Sequence, residues 1–240
     1  MSFSGQTVHA SPSYAPACHA MRAVARGKHN PVADEPVELN TLGTVCNFAR
    51  NETIFSEGEE MTASYKVVSG VIRLCRLTAD GRRQIAGFRL PGDLIGVEWT
   101  SDYEMTAEAV RDVVAVRYAR TRLDRLFEER SSVRDHLLAH LRQDIRFAQE
   151  HLVMLGCQSA TERVASFLLQ MARRAGATDG TVIDMQLGRQ DIADYLGLTL
   201  ETVSRTFTEL KEHRVIETPR RRHVIVSSMA KLKALASATH

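Results

Sequence analysis

Aromatic residues are scarce in this 240-residue chain: Phe, Trp and Tyr make up 6%, with a single Trp, Trp99. So little ring surface argues against a cage for cations or a platform on which bases stack. The four cysteines, Cys18, Cys46, Cys75 and Cys157, are scattered and form no CxxC pair. Zinc and iron–sulfur sites take ligands at short spacings, and disulfide frameworks belong to small secreted chains. Reduced thiols in mostly structural places are therefore expected. No apolar run approaches the ~20 residues needed to span a bilayer, and the N-terminus carries no apolar core of a signal peptide. A cytoplasmic protein without a membrane partner is expected. A dominant charge is lacking too, since the formal net charge is +2, so no global attraction for a polyanion is announced.

What is there is ample core material, 44% hydrophobic residues, enough for one large or two modest domains. The basic residues lean towards the C-terminus. From Gly156 onward twelve Lys and Arg stand against nine Asp and Glu, and Arg220-Arg221-Arg222-His223 concentrates that excess.

Along the chain the texture changes three times. Residues 1–40 are rich in Ala, Pro, Ser and His without sustained periodicity, which predicts a mobile tail. Residues 41–130 read first as short strands with glycine at the corners. "ETIFSEGE" runs into a turn, "YKVVSGVIRLCRL" alternates around Gly70, and "TADGRRQIAGFRL" carries an Asp80-Gly81 hairpin signal. Many short strands predict a closed antiparallel β-roll, and "TRLDRLFEE" after it predicts a short helix.

Residues 131–156 predict one long helix. Val133, Leu137, Leu141, Ile145, Ala148, Leu152 and Leu155 recur at steps of three and four, close to the 3.5 average of a coiled-coil seam. A helix of about 24 residues is ~36 Å long, more than one small domain can cover. Part of the seam is expected to lie on the roll, and Leu137, Leu141, Ile145, Ala148, Leu152 and Leu155 are expected to meet a second copy across a twofold axis. Gly156 to Ser159 is expected to break this helix, with Ser159 or Thr161 capping the next one, whose apolar face is Val164, Phe167, Leu168 and Met171.

Residues 157–240 then contain "GRQDIADYLGLTLETVSRTFTELKEHRVIE", where two helical patterns meet across Gly197. The first turns Ile192, Ala193 and Leu196 inward. Gly197 suits a left-handed turn, Thr199 a helix cap, and the second pattern buries Val203, Phe207 and Leu210. Apolar spacing, small residue, glycine and cap make a helix-turn-helix. Leu200, Glu201, Ser204, Arg205 and Thr208 are left on the outer face, at the end that enters a major groove. Arg can bond guanine O6 and N7, Glu can accept from cytosine N4, and Ser reads either edge. Leu200, Glu201, Ser204 and Arg205 are therefore the candidate base readers. The plainer reading of Glu201 and Arg205 is a solvated i,i+4 ion pair. "VIETPRRRHVIVS" predicts a hairpin wing with arginines at its tip. Arg221 and Arg222 there, Arg189 and Gln190 at the start of the first helix, and Thr199 and Thr202 at the start of the second are the candidate phosphate contacts.

A β-roll with "LPGDLIG", a long helix and a winged helix-turn-helix reading "LGLTLETVSR" resembles the bacterial cyclic-AMP receptor protein and FNR family over about residues 40–230. The Glu201, Ser204, Arg205 pattern is similar to the FNR side, and "CQSATERVASFLLQMARR" with "RQDIADYLGLTLETVSRTFTELK" to its FixK branch. The resemblance implies an α+β fold with an N-terminal roll of the cyclic-nucleotide-binding type, a dimerisation helix and a C-terminal winged helix-turn-helix. It implies a homodimer on a palindromic double-stranded DNA operator with TTGA half-sites, RNA polymerase as partner, and activation of microaerobic or nitrogen-fixation genes.

The departures matter as much. The oxygen-sensing cluster of FNR needs a group of closely spaced N-terminal cysteines, and Cys18 stands alone. Cyclic-nucleotide members place an Arg-Ser pair against the phosphate where this chain has Met105-Thr106, and the long helix has no Ser or Thr between Ser132 and Ser159 to meet an adenine. A buried phosphate without a cation is costly. No cofactor is expected, a haem ligand at Cys75 included, and no residue set resembles a catalytic site. The alternative is a regulator whose roll holds a cyclic nucleotide or another small molecule.

Overall fold

In a computed structural model, the structure describes residues 43–79, 81–98, 100–220 and 222–237. The expected tail over 1–40 with Cys18, and also Asp80, Trp99 and Arg221, lie outside the described residues.

The strand-rich region forms two four-stranded antiparallel sheets. One has the order β1 (Thr44–Phe48), β8 (Val113–Ala119), β3 (Ala63–Ser69), β6 (Leu94–Ile95). The other runs β2 (Thr53–Phe55), β7 (Thr106–Ala109), β4 (Ile72–Leu77), β5 (Arg83–Arg89). Alternation sets which side chains go inward: along β7, Ala107 and Ala109 are buried while Thr106 and Glu108 are half-buried. The β4–β5 hairpin pairs Ile72 with Arg89 and Leu77 with Arg83. Gly70 turns β3 into β4 with φ at 86°, and a Cβ there would come 2.4 Å from the Asp112 carbonyl oxygen. Only glycine fits that approach.

The roll is packed through its centre. Phe55 stacks on Tyr103 with ring centroids 3.8 Å apart, Tyr65 lies next at 6.0 Å, and Tyr103 donates its hydroxyl to the Ala63 carbonyl at 2.6 Å. Burial at this hydroxyl, the first of its influences, raises the Tyr103 pKa.

After the roll come α1 (Arg120–Glu129) and the long α2 (Ser131–Cys157). At 27 residues α2 is ~40 Å long. It ends at Cys157, inside the Gly156–Ser159 stretch where a break was expected, and its last carbonyls find a donor. The Arg163 guanidinium bonds the Leu155 carbonyl at 2.9 Å and the Gln158 carbonyl at 2.9 Å, offsetting the helix-weakening glycine. Val133 is buried with Tyr118, Leu123 and Leu126, so the first turns of α2 lie on the roll. Leu137 is only 4% exposed within the single chain, and this corrects its expected place in a seam facing a second copy. Leu138, 39% exposed, stands in line instead: with Leu141, Ile145, Ala148, Leu152 and Leu155 it gives alternating steps of three and four. Ile145 is 58% and Leu152 73% exposed, Ala148 is exposed, and Leu141 and Leu155 are half-buried.

The C-terminal lobe comprises α3 (Ala160–Arg174), β9 (Val182–Asp184), α4 (Arg189–Leu196), α5 (Leu200–Glu212), β10 (Ile216–Arg220), β11 (His223–Val226) and α6 (Met229–Ala236). Ser159, not Thr161, caps α3, in a reciprocal box with Glu162. Val164, Phe167, Leu168 and Met171 are buried as the spacing predicts. The wing is a three-stranded sheet, β10-β11-β9. Helix α6, packed through the fully buried Leu232, was not foreseen.

Candidate nucleic-acid interface

Helices α4 and α5 meet as the sequence predicts. Gly197 closes α4 with φ 61° and ψ 37°, the left-handed conformation, and Leu198 N–H bonds back to the Ala193 carbonyl at 3.0 Å. The Thr199 hydroxyl caps α5, accepting from Thr202 N–H at 3.1 Å. Ile192, Ala193, Leu196 and Val203 are fully buried, and Phe207 and Leu210 nearly so.

That burial leaves Leu200, Glu201, Ser204, Arg205 and Thr208 exposed together on the first turns of α5. Arg205 is 73% exposed, and its ion pair is with Glu209 at 4.0 Å, one turn onward, rather than the plainer Glu201 pairing. So loose a surface pair is worth little and yields readily to a better acceptor. Thr208 donates its hydroxyl to the Ser204 carbonyl at 3.2 Å.

The candidate phosphate contacts divide. The Thr199 and Thr202 hydroxyls bond one another at 3.0 Å near the exposed start of α5. Gln190 donates to Asp194 at 2.6 Å. Arg189 departs from expectation: its guanidinium lies 3.4 Å from the centroid of the Phe207 ring, half-buried. Burial brings its pKa down to about 10, so it stays charged at neutral pH. It fastens α4 to α5 through the ring face. Arg222 is half-buried and lines a cleft of about 500 Å³ between wing and roll, with Arg111, Arg220, His223, Asp112 and Asp184.

A contact missed at the sequence level joins the two halves of the chain. Val71, Cys75, Ile85, Phe88 and Val110 of the roll share one buried cluster with the C-terminal lobe. Arg73, flanked by Ile72 and Leu74 in β4, is itself buried. An arginine inside an apolar strand was the signal that something charged faces it.

A model of the Crp-like helix-turn-helix domain matches residues 162–235, and one of the cyclic nucleotide-binding domain matches residues 45–130. The nitrogen fixation regulation protein FixK of Azorhizobium caulinodans is 43% identical over 218 residues, covering 89% of this chain and 88% of that protein. The chain belongs to the FixK branch of the Crp/FNR regulators. The transcriptional activatory protein AadR of Rhodopseudomonas palustris is 36% identical over 181 residues, 75% of this chain and 76% of that one. The solved structure of FixK2 from Bradyrhizobium japonicum superposes with a TM-score of 0.77 at 35% identity, over 82% of this chain and 99% of that chain. This FixK-type chain is thus a helix-turn-helix DNA-binding transcription regulator, and its relatives are regulators rather than enzymes. Among the described residues no helix is long and apolar enough to cross a membrane.

Within the FixK-type fold the thiols and the phosphate-binding position take definite surroundings. Cys46 is half-buried, Cys157 exposed and Cys75 buried. Burial, with Glu108 nearby, pushes the Cys75 thiol up to about 11, which keeps it protonated at neutral pH. Where cyclic-nucleotide members would need a cation, Met105 packs against the roll core and the Thr106 hydroxyl accepts from Glu57 N–H at 3.1 Å.

Proposed function

We propose that the chain works as a homodimer in the cytoplasm, reading a palindromic operator with TTGA half-sites, recruiting RNA polymerase, and activating microaerobic or nitrogen-fixation genes. The reading rests above all on one observation: Leu200, Glu201, Ser204 and Arg205 stand exposed together on the capped second helix of a helix-turn-helix. Half-buried or buried, they could not reach base edges. The exposed stripe from Leu138 to Leu155 supports the second copy, because an apolar stripe left in water favours association. The names of the FixK and AadR relatives support the gene class and the activating sense.

The roll is a scaffold in this reading, without a cofactor or a catalytic role. The Tyr103–Phe55–Tyr65 stack lies within its buried core, and Met105-Thr106 offers a phosphate no cation. The cyclic nucleotide-binding match over residues 45–130 favours the second reading, a small-molecule-responsive regulator. Selection of bound sites from random duplexes separates the two. The expected outcome is one TTGA palindrome, enriched equally with and without cyclic AMP and with and without oxidant. Enrichment only with the nucleotide would establish the second reading, and no enrichment would end the first.

A further inference from the structure

Helix α4 is held from two sides. From the spine, the His151 ring of α2 stacks on Tyr195 with centroids 4.0 Å apart and its Nε2 lies 2.8 Å from the Tyr195 carbonyl oxygen. From the roll, Phe88 packs on Tyr195 at 5.3 Å, and beside it two arginines meet the acidic face of α4. Arg83 bonds Asp194 Oδ2 through Nε at 3.0 Å and Nη2 at 2.6 Å, and Asp191 Oδ1 through Nη2 at 3.2 Å. Arg73 bonds the same Asp191 oxygen at 3.1 Å, and Glu108 at 2.7 Å. The Arg73 side chain is 8% exposed, Asp191 13% and Asp194 14%.

Stability is a poor account of this network. Two guanidiniums face three carboxylates, Glu108, Asp191 and Asp194, and stripping such groups of water offsets most of their attraction. The apolar contacts around Phe88 already hold the lobes together, but such contacts are non-directional and permit sliding. Planar forks on fixed carboxylates do not. What the charges add is register.

Register here reaches the reading helix. The backbone link between α2 and α3 is Gln158-Ser159, both extended, at ψ 143° and 168°. Rotation about that link would swing the whole C-terminal lobe. Helix α4 passes its orientation to α5 through the three residues Gly197–Thr199 and through Arg189 on Phe207. Across a twofold axis any swing counts twice, once in each copy. One base pair of added spacing is only ~3.4 Å of separation, against the ~34–36 Å between half-sites.

We propose that Arg73, Arg83, Asp191 and Asp194 form a positioning clamp that fixes the angle of α5 to the spine and so sets the half-site spacing the dimer accepts. The clamp rests on the dimer-on-palindrome reading above. None of its four residues touches DNA; each acts through α5.

The test is binding of the full-length protein to duplexes carrying two TTGA half-sites, the spacer varied one base pair at a time, with a single half-site for reference. Wild type gives a sharply peaked profile. In Asp194→Asn and Arg83→Gln, affinity at the best spacer falls about ten-fold while other spacers change less than about two-fold, so the profile flattens. Arg205→Ala, by contrast, lowers every spacer together. Sedimentation and melting check that each variant is a folded dimer. Arg83→Lys, which keeps the charge without the fork, covers a Gln variant that fails to fold, and gives an intermediate profile. A peaked wild-type profile that stays equally peaked in Asp194→Asn and Arg83→Lys overturns the clamp alone. A wild-type profile flat from the start overturns the palindrome reading, and the clamp with it.

Discussion

Arg205 keeps most of its side chain in water, paired to Glu209 at the edge of bonding distance. A guanidinium so held is free to take a guanine edge at small cost. Arg205→Ala is expected to lose ~1–3 kcal/mol per half-site and to relax preference at one G·C position. Site selection with the variant checks both. A second residue carries a pH response. His151 is buried against Tyr195, and burial lowers its pKa from 6.5, against smaller opposing pulls from the Tyr195 and Ala86 carbonyls. With the folded value below the unfolded one, the unfolded chain takes the proton first as pH falls. Stability is therefore lost as pH drops below 6.5 and is unaffected by this group above it. His151→Phe keeps a ring on Tyr195 and should remove that acid limb from melting temperatures taken between pH 5 and 7.

Among the elements, Gly197 separates local from tertiary effects. A Cβ there would meet Leu155 at 3.6 Å and Arg163 at 3.7 Å, ordinary contacts, so the strain of Gly197→Ala is in the backbone alone. The expected cost is ~1–2 kcal/mol, less for Asn, read as a fall in melting temperature. This turn was legible in the sequence because everything that makes it is local: a glycine, a cap at Thr199, apolar steps on both sides. The α2 seam was legible in the sequence except at its first position. Leu137 and Leu138 are neighbours of equal hydropathy, and only tertiary packing decides that Leu137 is covered and Leu138 faces out. Arg189 has a partner the sequence did not show for a related reason: Phe207, 18 positions on, arrives under its guanidinium. Helix α6 is eight residues long with one buried anchor, too short to show a period. The Arg73–Asp191 bond joins residues 118 apart: an arginine within β4 announces that a charge faces it, but nothing local names the partner.

For the whole molecule, the exposed stripe of α2 gives the cleanest lever. Leu152 is 73% exposed in the single chain, so Leu152→Asp leaves the fold and melting of that chain intact. It is expected to yield monomers in sedimentation. Operator affinity should fall on the order of 100-fold, since joining two half-site readers multiplies affinity by ~10²–10⁴. Retained affinity in a monomeric variant would contradict the twofold arrangement.

Arg163 gives the joint of the molecule its character. Its one planar cation gathers carbonyls from three segments: Leu155 near the end of the spine, Gln158 in the link, and Leu196 at the end of α4. Each carbonyl takes a different nitrogen of the fork; a lysine has its donors on a single nitrogen and cannot reproduce that spread, so the nominally conservative exchange would loosen the joint. One side chain thus laces the end of the spine, the link and the end of α4 together, so that its loss would free three backbone segments at a single corner.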